Sequence, residues 1–295
     1  MEYKDYMVRA TAAGDQIRAF AITSRDLTEE ARKAHGSSPI VTAALGRLMS
    51  ASLMMAAMTD NEDDLLTVRI EGDGPMGGLL ATADCKGNVK GYATNELVIM
   101  PPNEQGHLNV GGAIGKGSLT VIKDMGLKDP YVGQVPLQTG EIAEDITYYY
   151  AQSEQTPSSV GLGVLMNPEN NTVREAGGFI IQLLPFAADD VIDKLEANLK
   201  KFSSVTDVLR EGKSPEDLLR IVLEGFDINF TDKKDVNWYC NCSKERMERG
   251  LILLGRKELD DIITQGEGIE TKCRFCNESY RFSLDEIKAM REKSK

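Results

Sequence analysis

The 295-residue chain carries 46 acidic and 34 basic residues, a formal net charge of −12, so neither duplex nucleic acid nor an anionic membrane surface is expected as its main partner. With 41% hydrophobic and 27% charged residues it can bury a core without staples, and its length suits one main core plus something smaller. The opening MEYKDYMVRA has no apolar h-region, no apolar run approaches the ~18 residues of a spanning helix, and five cysteines do not make a secreted disulfide framework; a cytoplasmic protein with reduced thiols is expected.

Residues 1–35 read as strand, turn, strand and a charged helix, SRDLTEEARKAH. Residues 37–59 read as a buried helix, with Ser38 placed to cap it and Pro39 in its first turn; Met49, Met54, Met55 and Met58 are core packing there, a Met-rich binding surface being the sharper alternative. From 65 to 95 the pattern changes to alternation with Gly-rich turns, as hairpins require, and more strands follow through GKGSLTVIKDMG. GEIAEDITYYYAQSEQTPSS looks helical up to Pro157, and VGLGVLMN and GGFIIQLLP read as strands. Strands and helices mix without regular βαβ alternation, so the fold class is α+β, a mixed β-sheet core with packed helices.

Two short amphipathic helices come next. ADDVIDKLEANLKKF sets Val191, Ile192, Leu195, Leu199 and Phe202 on one stripe. SPEDLLRIVLEGF opens with Ser214, Pro215 and Asp217 in capping order and sets Leu218, Leu219, Val222 and Phe226 on another. Helices of this length need a surface to pack on. From about 236 onward the chain carries 12 basic and 11 acidic residues, so the acidity lies upstream and a boundary falls near 232–236. The expected domains are a core over 1–182, a helical linker over 183–235 and a small C-terminal domain over 236–295.

That last segment holds four of the five cysteines: Cys240-x-Cys242, thirty residues, then Cys273-x-x-Cys276. Two close pairs at the ends of a loop can close a tetrahedral thiolate site suited to Zn2+, although C-x-C is tighter than standard fingers use. His35 and His107 lie elsewhere, so the set is all sulfur; four thiolates leave no open position for water, and no Lewis-acid catalysis is expected at the metal. A ~60-residue unit rarely draws more than ~3–5 kcal/mol from its own core, whereas zinc binding to such segments is worth ~10–16 kcal/mol near neutral pH. The segment should therefore unfold when the metal leaves. Thiolates are the form peroxide attacks, and a Cys240–Cys242 bridge would close a small, strained ring. The spacing thus admits a switch as well as a permanent zinc staple with a constitutive partner, or a thiol oxidoreductase. Cys85, in ATADCKGN, reads as an inert, partly buried thiol.

VGGAIGKGS is no phosphate loop: Val110 stands where the first glycine is required and Gly117 where a hydroxyl is required. The tyrosines at 148–150 cannot share one helical stripe, and no Ser–His–Asp set or acid–base carboxylate pair is readable, so no catalytic residues are assigned.

With the cysteine arrangement in view, RIEGDGPMGGLLATAD, GNVKGYATN, GKGSLTVIKDMG, YVGQVPLQTGEIAEDITYYYAQSEQTPSSVGLGV and AGGFIIQLLP, in that order, resemble the redox-regulated heat-shock chaperone of the thirty-three-kilodalton class, a bacterial holdase. The resemblance covers essentially the whole chain. It implies a non-enzymatic cytoplasmic stress protein that is largely inactive when reduced and zinc-bound. Cys240, Cys242, Cys273 and Cys276 are then both the metal ligands and the redox centre. Oxidation forms Cys240–Cys242 and Cys273–Cys276 disulfides, releases zinc, unfolds the C-terminal domain and loosens the linker. The active protein, typically a homodimer, binds unfolded or aggregation-prone client proteins without ATP and later passes them to ATP-dependent foldase chaperones. On this reading residues 189–202 and 215–226 become accessible on oxidation and contribute to client binding, and Cys273 and Cys276, with the less strained ring, oxidise first.

Overall fold

Strands buried on both faces organise the N-terminal part of the chain. In β1 (Tyr6–Ala12) and β2 (Ile17–Thr23), Met7, Phe20 and Ile22 point into one apolar cluster, while Val8, Ala10, Ala12, Ile17, Ala19 and Ala21 belong to another. The computed structural model describes residues 4–59 and 61–294, so the first three residues of the opening stretch lie outside the described residues. After β2 come α1 (Arg25–His35), α2 (Pro39–Ala56), β3 (Leu65–Gly72), β4 (Gly78–Asp84), β5 (Asn88–Ala93), α3 (Val110–Ile114), β6 (Gly117–Asp124), β7 (Tyr131–Pro136), α4 (Ala143–Gln152), β8 (Ser158–Met166) and β9 (Val173–Leu183). They are followed by α5 (Asp189–Lys201), α6 (Val205–Arg210), α7 (Pro215–Val222), β10 (Ile228–Asp235) and β11 (Asn237–Trp238). Among the described residues these strands form a five-stranded sheet, β10-β1-β2-β9-β8, and a six-stranded sheet, β11-β5-β4-β3-β6-β7. The fold is the mixed α+β core expected from the sequence. By contacts the chain divides into two compact units, Met1–Tyr239 and Cys240–Lys295, and residues 183–235 fall inside the first.

Helix α2 packs against strands of both sheets, β4, β5 and β3 on one side and β8 and β9 on the other. It is 18 residues long with a mean hydropathy of 1.3, long and apolar enough by those criteria to cross a membrane. The expectation that no run approaches that length is therefore corrected; 89% of the helix is buried inside the protein, which is the position of a core helix. Met49, Met54 and Met55 are buried in it, as core packing requires. A Cβ at Gly46 would lie 2.6 Å from Thr28 Cγ2, so the glycine is what lets α1 approach. Ser50 and Ser52, buried mid-helix, return their hydroxyls to the Gly46 and Leu48 carbonyls at 2.7 and 2.8 Å. Ser38 occupies the N-cap position and Pro39 follows it, but the Ser38 hydroxyl does not bond the helix; it accepts the Val98 N–H at 3.2 Å.

The cap of α1 also comes from elsewhere. Ser24 at its N-cap makes no capping bond, and the Leu27 N–H is taken instead by the Asp5 carboxylate at 2.8 Å, from the chain just before β1. Burial pushes the Asp5 carboxyl up to about 7 despite that hydrogen bond. Because the folded protein holds the proton more tightly than the unfolded chain, the contribution is full below pH 4 and is lost as pH rises through about 7. The loss is on the order of 4 kcal/mol. Urea-unfolding free energies are expected to fall between about pH 4 and 7 for the native chain and to be flatter for Asp5→Asn; equal slopes would assign the pH dependence elsewhere.

On the face of the five-stranded sheet away from α2, Val8, Ala10, Ala12, Ile17, Ala19, Ala21, Phe179 and Ile181 meet α5, α6 and α7. Val191 and Leu195 from α5, Val205, Val208 and Leu209 from α6, and Leu218, Leu219, Val222 and Leu223 at α7 complete this second cluster, with Leu199, Phe202 and Phe226 packed at its margin. Helix α7 carries the capping box read from sequence: the Ser214 hydroxyl accepts the Asp217 N–H at 3.1 Å and the Asp217 carboxylate accepts the Ser214 N–H at 3.1 Å. Several elements go beyond the sequence reading, among them α3, α6, β7 and β10. Helix α6 has only six residues, too few to show a period. The strands β7 and β10 sit at sheet edges, where charged and exposed residues such as Lys233 and Asp232 blunt the alternation.

Candidate metal centre

The second unit is built around one hairpin. β12 (Ile269–Lys272) pairs antiparallel with β13 (Ser279–Phe282), Ile269 opposite Phe282 and Thr271 opposite Tyr280. The six residues between them are closed by Cys273 N–H to Glu278 O at 2.9 Å and Asn277 N–H to Cys273 O at 2.8 Å. Asn277 takes the left-handed conformation, φ 60°, which asparagine tolerates better than most residues. This tight turn carries Cys273 and Cys276. Cys240 and Cys242 arrive from the other end of the unit, just ahead of α8 (Lys244–Ile252). The Ser243 hydroxyl caps that helix through the Arg246 N–H, and the Arg246 guanidinium donates to the Asn241 carbonyl at 3.0 Å, fixing the residue between the two sulfurs. In an extended stretch, residues two apart point to the same side, so a single spacer suits two ligands aimed at one point.

The four sulfurs converge as the spacing predicts. Cys240 Sγ lies 3.7 Å from Cys273 Sγ and Cys242 Sγ 3.3 Å from Cys276 Sγ, and all four lie within 4.8 Å of one another. Zn–S bonds of about 2.3 Å in a tetrahedron place sulfurs about 3.8 Å apart, so the set fits the ion. Cys273 is buried and the other three are half-buried. Burial pushes the Cys240 thiol up to about 11, and burial pushes Cys276 further still. At Cys242 burial also raises the value, but hydrogen bonds from Tyr280 and the neighbouring cysteines outweigh it and leave this thiol below its ordinary range. Clustered thiols resist joint ionisation, and a dication removes that resistance. Among the described residues these four form the one cluster with metal-ligand geometry. Cys85 lies in the first unit, half-buried, with its sulfur 3.4 Å from the Asn61 carbonyl.

Little else holds the unit together. Its buried apolar cluster is Leu251, Leu259, Phe282, Ile287 and Met290. Helices α9 (Arg256–Gln265) and α10 (Leu284–Lys293) are tied by Arg291 to Asp260 at 2.9 Å, and α10 to α8 by Lys293 to Glu248 at 2.9 Å. Lys244 holds the Glu286 carboxyl down to about 2, helped by the Ser283 N–H in the α10 capping box. Ion pairs this exposed are worth little.

One contact at the cluster had no signature in the spacing. The Tyr280 hydroxyl lies 3.1 Å from Cys242 Sγ. The only sequence signal is an aromatic residue with a polar tip four positions after the last cysteine.

A mixed α+β unit followed by a small unit whose four cysteines are arranged to coordinate a metal defines a class of two-part proteins. The Hsp33 protein family matches residues 5–283, and the chain belongs to that family. It is 54% identical to the 33 kDa chaperonin of Agathobacter rectalis over 97% of this chain and 99% of that one, and 55% identical to that of Lachnoclostridium phytofermentans over 96% and 97%. The crystal structure of the 33 kDa chaperonin (heat shock protein 33 homolog) from Thermotoga maritima superposes with a TM-score of 0.92 at 33% identity, covering 99% of both chains. This is a family of redox-regulated holdase chaperones, not of enzymes, in agreement with the resemblance read from the sequence.

Proposed function

We propose that the four cysteines are a zinc-dependent redox latch on an ATP-independent, cytoplasmic holdase. The observation that carries this reading is the convergence of all four sulfurs within 4.8 Å in a unit whose own buried core is five side chains. A bound zinc ion supplies the crosslink between the Cys240–Cys242 segment and the hairpin turn, and holds the four sulfurs as thiolates. Peroxide oxidises those thiolates, and each disulfide withdraws two ligands. The pairing Cys240–Cys242 and Cys273–Cys276 is what the resemblance to the family implies, and the short chain separation within each pair supports it, whereas cross pairs must close loops of more than thirty residues.

Unfolding of residues 240–294 leaves β11 and β10 as a fraying end of the first unit. Next along the chain lie α7, α6 and α5, three short helices that cover the Ala- and Val-rich face of the five-stranded sheet. Helices of this length hold only through that packing. Their release bares two complementary apolar surfaces, the sheet face and the stripes of α5 and α7, to which unfolded clients bind. Dimerisation of the active form and transfer of clients to ATP-dependent foldases belong to the same proposal.

The test is suppression of aggregation of a heat-unfolding protein by the reduced, zinc-loaded chain and by the peroxide-treated chain. Suppression only after oxidation supports the latch. Inactivity in both states, with zinc lost irreversibly, supports a staple, and catalytic disulfide exchange supports an oxidoreductase. In mass mapping of early products, the Cys273–Cys276 disulfide is expected first, because the three-residue step of that pair closes a less strained ring than C-x-C; early products containing only Cys240–Cys242 would reverse that order.

A further inference from the structure

We propose that Tyr280 is a positioning residue for the redox step: its hydroxyl donates to the Cys242 thiolate and slows the oxidation of that sulfur. The inference rests on the latch reading above and deepens it. Tyr280 is half-buried on β13, its ring packed at the margin of the cluster formed by Leu251, Leu259, Phe282, Ile287 and Met290, which fixes the direction of the hydroxyl. At 3.1 Å the O–H to Sγ contact is a hydrogen bond, and toward a thiolate only the hydroxyl can donate. Cys240 and Cys276 are served differently, by the backbone N–H groups of Cys242 and Glu278. A side-chain hydroxyl is the one donor here that substitution can remove without touching the backbone.

Oxidation begins when a thiolate lone pair attacks a peroxide oxygen; the O–O bond breaks, hydroxide leaves, and sulfur becomes a sulfenic acid. A second thiolate then attacks that sulfur and expels a second hydroxide, so two electrons pass from the sulfur pair to one peroxide. A hydrogen bond to the attacking lone pair lowers its nucleophilicity, so attack by Cys242 on peroxide is slowed relative to the same sulfur without its donor. The same bond orients the sulfur toward the metal position, as outer-shell donors do at other metal sites.

The experiment compares the zinc-loaded full chain with Tyr280→Phe, which keeps the ring and removes the donor. Under peroxide, time-resolved alkylation and peptide mapping should show Cys242 oxidising roughly three- to tenfold faster in the variant, the size expected of one hydrogen bond. With cobalt(II) in place of zinc, the sulfur-to-metal charge-transfer band should move to longer wavelength, because a sulfur without its donor is more electron-rich; a purely structural role would leave the band in place. Competition with a chelator should show about tenfold weaker zinc binding. An unchanged Cys242 rate together with an unmoved cobalt band overturns the proposal. If the phenylalanine variant does not fold, 3-fluorotyrosine at position 280 keeps the shape and strengthens the donor, and both readouts should shift the opposite way; no shift overturns the proposal equally. Should the native chain itself keep its zinc and stay inactive under peroxide, the latch reading fails; should the native chain switch while the variant matches it in rate and spectrum, only the role of Tyr280 fails.

Discussion

Replacing Cys273 by serine is expected to abolish tight zinc binding and to unfold residues 240–294, while the sheets and α2 of the first unit keep their amide protection. Cys273 is the buried member of the sulfur set and opens the turn between β12 and β13, so its loss removes both a ligand and the anchor of the hairpin. The magnitudes are one-sided. Five buried apolar side chains and a few exposed ion pairs leave a unit of this size with no more than ~3–5 kcal/mol of its own. An intact four-thiolate site contributes ~10–16 kcal/mol near neutral pH. Hydrogen exchange read by mass spectrometry, alongside zinc stoichiometry, checks the expectation. Native-like protection of the amides of α8 to α10 in the serine variant would mean that the unit folds without the metal, and the latch would then have nothing to release.

The second large effect concerns the covered sheet face. Leu218→Asp should give holdase activity in the reduced, zinc-loaded protein, with no oxidant present. Leu218 is fully buried between α7 and the five-stranded sheet. An unpaired carboxylate there costs several kcal/mol if α7 stays docked and almost nothing if it detaches. Because α5 and α7 touch each other and share the same apolar surface, release of one weakens the other. The expected result is increased hydrogen exchange over 189–202 and 215–226, increased binding of a hydrophobic dye, and suppression of client aggregation to the level of the oxidised native chain. A variant whose helices exchange freely but which does not suppress aggregation would place client binding on some other surface.

The site was more legible than the fold that carries it. Cys240, Cys242, Cys273 and Cys276 could be grouped because ligand spacing is a property of neighbouring residues, and the structure brings all four sulfurs together. The box at Ser214 and Asp217 and the stripe through Leu218, Leu219 and Val222 were legible for the same reason. Ser38 shows the limit of such reading. Its position before Pro39 is the right one, yet its hydroxyl serves Val98, sixty residues away, and the comparable task at α1 is done by Asp5 rather than by Ser24. Likewise β10 pairs with β1 across more than two hundred residues, Tyr6 opposite Asp235, and nothing local to INFTDKKD announces that partner.

What the sequence determined by itself is the chemistry of the cluster, the caps and the amphipathic periods, because each depends on residues a few positions apart along one backbone. Only the tertiary structure decided that the five-stranded sheet is apolar on both faces, that α5 to α7 cover one of them, and that a tyrosine hydroxyl meets Cys242. Those features depend on which distant surfaces meet, and burial of apolar area is indifferent to order along the chain.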